Sequence, residues 1–186
     1  MKTIILRRNS TSPISPFPEI INVPDSAVSR DWRPVFLPDD GSPWLGQILP
    51  AYRVCRLGKN IPERFATRYF DAVTLAVVAF PSENTIPLSL ALTADGAVAL
   101  GRWIEIPEAE RGNDTVYNVS HSNGHIEFSD NSAGICSALH SLSRCMTLKM
   151  GDIIIPFDDG ISVALDIDTE ISATLDEVKV LEYRVK

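Results

Sequence analysis

A mainly β chain with few helices is what this sequence predicts, and three observations carry the prediction. Residues Ala72 to Phe80, AVTLAVVAF, are almost wholly apolar and rich in β-branched side chains, the pattern of a strand buried on both faces. Val116 to Phe128 sets Ser122-Asn123-Gly124 between two alternating runs, and Asn-Gly in that setting is a strong hairpin signal. Helical capping and spacing occur in only two stretches, one opening at Asn60 and one at Ser129 or Asp130. The expected architecture is α+β, mainly β, in a single domain over residues 1–186.

Taken in order, Thr3 to Leu6 reads as a short strand. Asn9 to Pro24 holds four prolines, Pro13, Pro16, Pro18 and Pro24. That density excludes helix and central strand, so an irregular arm is expected. Val35 to Leu37 reads as a strand closed by the turn Pro38-Asp39-Asp40-Gly41. Leu45 to Arg56 is extended, and Pro50 predicts an edge or a bulge there.

Asn60 can cap a helix, with Pro62 in the first turn and Glu63 completing a capping box. Phe65 and Tyr69 then share a face. Pro87 to Leu100 reads as strand, Asp95-Gly96 turn, strand. The second helix runs to about Met146, with Ile135, Leu139, Leu142 and Met146 on one stripe. Ile153 to Ile155, Val163 to Ile167 and Val178 to Val185 are the closing strands.

Bulk properties narrow the function classes. With 45% hydrophobic and 22% charged residues, the composition is that of an ordinary globular domain. A net charge of −7 over 186 residues argues against sequence-independent nucleic-acid binding and against docking on anionic lipid. Cys55, Cys136 and Cys145 have no paired spacing. This suits free thiols in a reducing, cytoplasmic setting. The apolar run near Met1 is too short for a signal-peptide core or a membrane span. Asn9, Asn113 and Asn118 fall in glycosylation sequons, read as chance in that setting.

Several blocks, taken together and in order, resemble the fumarylacetoacetate hydrolase family. They are Arg8-Asn9, Pro24-Asp25-Ser26-Ala27, Arg56-Leu57-Gly58-Lys59-Asn60 through Tyr69-Phe70-Asp71, Asp95-Gly96, the Ser122-Asn123-Gly124 hairpin, and Thr147-Leu148-Lys149-Met150-Gly151-Asp152. The resemblance implies a roll of twisted β-sheets with short helices outside. It also implies a homodimer, and a Mg or Mn ion held by two glutamates spaced by one residue and an aspartate on a neighbouring strand. Alternate strand residues point the same way, so such a pair aims both carboxylates at one ion. That ion would polarise an oxo-acid substrate.

In this sequence the two glutamate positions match Gln47 and Leu49, and the aspartate position matches Val78. A lysine of many members matches Leu92, and the family's Thr-Gly-Thr-Pro turn is replaced by Pro156-Phe157-Asp158-Asp159. No shift of register restores the acids, because Pro43 to Tyr52 and Ala72 to Ser82 contain none. The resemblance therefore implies a vestigial pocket at Gln47, Leu49, Val78, Leu92 and Asp95, with no catalytic residue, no metal ligand and no cofactor.

Other chemistry-bearing residues have plain explanations. His121 and His125 flank the hairpin turn, where they read as solvated side chains, and His140 reads as a boundary residue of the second helix. Asp39, Asp40, Glu83, Asp95, Asp158 and Asp159 are the acids that can rebuild a metal site, and most lie in turn contexts. Glu108, Glu110 and Arg111 read as a solvated loop. No nucleophile elbow, Walker loop or dinucleotide fingerprint occurs. The expected function is that of a noncatalytic homologue acting as a binding or regulatory protein. Its expected partners are a second copy, an active relative or a small organic acid. The alternative is a divergent hydrolase, decarboxylase or isomerase of a small oxo-acid, and a structural assembly subunit is the third class.

Overall fold

The computed structural model describes residues 1–7, 19–30, 32–38, 42–83, 86–121, 124–130, 132–157, 161–175 and 177–186. Arg8-Asn9, the arm up to Pro18, Asp39 to Gly41, Ser122-Asn123 and Asp158-Asp159 lie outside the described residues.

The strands are β1 (Thr3–Arg7), β2 (Glu19–Val23), β3 (Val28–Ser29), β4 (Trp44–Val54), β5 (Phe70–Pro81), β6 (Val98–Leu100), β7 (Ile104–Glu105), β8 (Thr115–His121), β9 (Gly124–Asp130), β10 (Ile153–Phe157), β11 (Ile161–Leu165), β12 (Glu170–Leu175) and β13 (Val178–Arg184). The helices are α1 (Leu88–Ala91) and α2 (Ala133–Cys145), with short 3₁₀ segments at Asp25–Ala27, Glu63–Tyr69 and Glu108–Glu110. Among the described residues these strands form two sheets. The nine-stranded one runs β2-β1-β10-β4-β5-β6-β3, with β11 also on β4 and β7 also on β5. The other runs β13-β12-β8-β9.

The centre is the β4–β5 pair, in register from Trp44 opposite Pro81 to Val54 opposite Phe70. Alternation divides its side chains between two apolar clusters. Ile48, Tyr52, Val73, Leu75 and Val77 join α2 and the four-stranded sheet in the larger one. Leu49, Ala51, Ala76 and Val78 face the other way, with Leu92, Val98, Leu100, Ile155 and Phe157. A cross-sheet tether fixes the larger layer, where the buried Tyr52 hydroxyl donates to an Asp130 carboxylate oxygen. Burial first, then the charge of Asp130, pushes the Tyr52 phenol well above its usual pKa.

The buried β5 strand, the β8–β9 hairpin and the Ile135, Leu139, Leu142 stripe of α2 stand as the sequence predicts. Other expectations need correction. Glu19–Val23 is not part of an irregular arm. It is a strand antiparallel to β1, at the sheet edge, where Pro24 just past its end interrupts no second ladder. Val35 to Leu37 is not a strand, and among the described residues it supplies one bridge pair, Val35 with Val185.

Pro50 neither ends nor bulges its strand. On the side away from β5, β4 pairs with β11 up to Ile48 and with β10 from Tyr52. Proline therefore sits where that ladder is already open, and counting on from Tyr52–Ile154 places it opposite Pro156. The irregularity is at Arg53/Val54 instead.

Asn60 does not cap a helix. It adopts a left-handed φ of 52° and its N–H donates to the Ser143 carbonyl, so the chain docks on α2 before turning. The helix that follows is a 3₁₀ segment starting at Glu63. Its threefold repeat aligns Phe65 with Arg68, not with Tyr69. Pro87 to Leu100 begins with the single helical turn α1, not a strand. Ser132, not Ser129 or Asp130, precedes α2, because Asp130 still belongs to β9. The Val163 to Ile167 strand lies two residues earlier, and β12 was unforeseen.

Two of the resembling blocks meet in space. Gly58 and Leu148 exchange backbone bonds of 3.0 and 2.9 Å. A Cβ at Gly58 would stand 2.6 Å from Ile61 and 2.8 Å from Tyr69. Gly151 takes a φ of 83°, which favours glycine. Next to it the buried Asp152 carboxylate accepts the N–H groups of Lys2 and Lys149, each at 2.9 Å, and pairs with Lys2 Nζ at 3.2 Å. The Gly-Asp block thereby fastens β1 to β10.

Candidate functional site

β4 and β5 set the geometry of the candidate site. Gln47 and Leu49 lie two residues apart on β4 and therefore on one face. Gln47 faces Val78, and Val78 in turn faces Val98 on β6. Leu92, just after α1, packs onto the same layer. Solvent exposure is 8% for Gln47, 2% for Leu49 and 0% for Val78 and Leu92. Asp95 is exposed in the turn before β6 and is not part of this layer. Three of the five sequence-predicted positions thus converge in one apolar cluster, with Gln47 beside them and Asp95 outside.

Phenylalanines complete the layer, and sequence reasoning passed over them. Phe157 is buried and meets Phe80 edge to face at 6.0 Å. Arg7 lies 5.9 Å over the Phe157 ring and 3.9 Å from Glu19. The signal was available, since Val78 and Phe80 share the period of two and Phe157 stands in the replaced turn. Thr74, opposite Ala51, adds a buried hydroxyl whose Oγ1 has no partner among the described residues.

A hard divalent cation takes several charged oxygens. Gln47 offers one neutral carbonyl, while Leu49 and Val78 offer hydrocarbon, so this donor set does not fit Mg or Mn. Among the described residues no group of three or more His, Cys, Asp or Glu side chains is placed to hold a metal. Glu83 is exposed beyond the end of β5. His125 Nδ1 lies 3.1 Å from the Ser120 hydroxyl across the hairpin. His140 Nδ1 lies 2.8 Å from the Ile61 carbonyl. A carbonyl only accepts, so Nδ1 carries the proton and the ring anchors the 60–61 turn. Burial first, with Asp71 adding, raises the Cys55 thiol pKa, and burial with Glu63 raises that of Cys136. Both thiols are thus held away from the nucleophilic thiolate form.

The other end of the same face is charged. Arg53 donates from Nε to Asp71 at 2.9 Å and from Nη2 to both Glu105 oxygens at 2.8 and 3.0 Å. The Asp71 hydrogen bond, joined by Glu105, holds the guanidinium protonated more firmly than usual. Trp103 lies 5.9 Å from Arg53. Here both acids, Asp71 and Glu105, are already engaged by one guanidinium.

No protein-family model matches the chain, and no curated protein matches it. Solved structures do. The chain superposes on 5-carboxymethyl-2-hydroxymuconate delta-isomerase from Mycobacterium smegmatis at a TM-score of 0.79 and 19% identity, covering 99% of this chain and 78% of that one. A Yersinia pestis CO92 protein assigned to the fumarylacetoacetate hydrolase family gives 0.80 and 18%, covering 100% and 92%. Fumarylpyruvate hydrolase from Pseudomonas aeruginosa, in complex with Mn2+ and pyruvate, gives 0.78 and 15%, covering 100% and 89%. The fold of this chain is that of the fumarylacetoacetate hydrolase family. No helix among the described residues is long and apolar enough to cross a membrane.

Proposed function

We propose that this chain, built on the fumarylacetoacetate hydrolase fold, is a noncatalytic homologue acting as a binding or regulatory protein. Leu49, Val78 and Leu92, with Gln47 beside them, mark its vestigial, metal-free pocket, and Asp95 lies outside it on the turn before β6. One observation carries the reading. The facing pair Gln47 and Val78, with Leu49 beside them, lies in a buried apolar layer where a cation would need charged oxygens. The accompanying partners are a second copy in a homodimer, an active relative, or a small organic acid bound without metal. The sparse, unpaired cysteines favour a cytoplasmic setting.

Thermal denaturation with and without Mg2+ or Mn2+ tests it. The expected result is an unchanged Tm. Binding to the folded state at a hundredfold excess over Kd would add about 2.7 kcal/mol of stability, so a clear metal-dependent rise overturns the reading.

The solved neighbours favour a second reading. Their names are those of isomerases and a hydrolase, and Asp158-Asp159 follow Phe157 directly in sequence. A divergent hydrolase, decarboxylase or isomerase of a small oxo-acid would use such relocated carboxylates. Turnover of oxaloacetate by the pure protein, lost on replacing Asp158 and Asp159 by Asn, selects it.

A further inference from the structure

The charge of this chain is not evenly spread. Residue 2 together with residues 55–69 and 144–152 holds seven of the 17 Lys and Arg residues and two of the 24 Asp and Glu residues. That region carries +5 and the remainder −12, from a total of −7. Of its two acids, Asp152 is buried on Lys2. Asp71, just beyond its border, is taken by Arg53.

These segments are one surface. Gly58 and Leu148 bond to each other, Lys59 Nζ reaches the Arg144 carbonyl at 3.3 Å, and Lys2 Nζ reaches the Thr147 carbonyl at 2.9 Å. Arg56, Lys59, Arg64, Arg68, Arg144 and Lys149 are all exposed, and among the described residues none pairs with a carboxylate. Set among them are exposed apolar side chains, Leu57 at 71%, Met150 at 72% and Phe65 at 37%. The Phe65 ring is flanked by Arg64 at 4.8 Å and Arg68 at 5.0 Å.

The geometry points to a docking surface for an acidic protein segment that carries apolar residues between its carboxylates. Charge complementarity selects the sign of the partner, and the three apolar side chains select its kind. A nucleic-acid backbone has nothing to lay on Leu57 and Met150, and the Phe65 ring, already against two guanidinium groups, is not free to stack on a base. A lipid surface is broad, so the −12 remainder opposes its approach, whereas a peptide engages the patch alone. The surface lies at the Arg53 end of β4, away from Gln47, and the inference rests on no statement about the vestigial pocket.

Selection of a random peptide library on the full chain tests it, followed by Kd measurement on the synthesised winners. Acidic peptides with interspersed Leu, Phe or Met are expected, with affinity that falls as salt rises. Arg64→Glu/Arg68→Glu and, separately, Leu57→Ser/Met150→Ser are each expected to weaken binding by about tenfold or more while Tm stays put. Winners without acidic excess, no winners, or affinities unchanged in both variants overturn the proposal. So does tighter binding of single-stranded DNA or of phosphatidylserine vesicles than of the best peptide.

Discussion

The two ends of the β4–β5 pair present the same backbone geometry and opposite chemistry. At one end Gln47 faces Val78 within hydrocarbon; at the other Arg53 faces Ala72 and gathers Asp71 and Glu105. A ladder sets where side chains point and leaves open what they are. The charged end holds two carboxylates on one guanidinium. The apolar end holds no charge in its buried layer among Leu49, Val78 and Leu92, where an unmatched carboxylate would cost several kcal/mol, roughly.

The sharpest way to break this comparison is to put acid back. Val78→Asp is expected to destabilise the fold by about 3–5 kcal/mol at neutral pH, measured by urea denaturation. Burial would raise the folded-state pKa of that carboxyl, so the folded state would hold the proton more tightly. Stability should then recover as pH falls and worsen as it rises. A substitution tolerated equally at both pH extremes would show that the layer is wet.

Asp152→Ala comes next. It strips two part-buried N–H donors of a buried, charged acceptor, with an expected loss of about 2–3 kcal/mol, and Asp152→Asn should recover part of it. Gly58→Ala should cost about 1–3 kcal/mol through its clash with Ile61 and Tyr69. A smaller effect is expected of Arg53→Met, about 1 kcal/mol, because its partners are partly solvated. That loss should shrink in high salt, whereas the Val78→Asp loss should not.

Legibility in the sequence followed locality. The β5 strand could be read because an apolar run of that length has few alternatives, and the β8–β9 pair because Asn-Gly between two alternating runs is a local hairpin signal. Pro50 misled because its tolerance depends on β10 and β11 parting from β4, a fact of tertiary pairing with no local trace. Asn60 misled because a capping residue also tolerates left-handed φ, and contact with Ser143 decided between the two. The three positions on the apolar layer were found by counting along motifs. Phe80 and Phe157 were missed because the count followed polar chemistry.

The larger sheet joins distant parts of the chain. β1 is laid parallel to β10, Thr3 against Ile153. β1 therefore cannot meet its inner neighbour until synthesis has passed β10. Pairing over such separation is slow. Until then β2 is the sheet partner at hand for this apolar ribbon, and a strand edge left open in that interval is prone to stick to other chains.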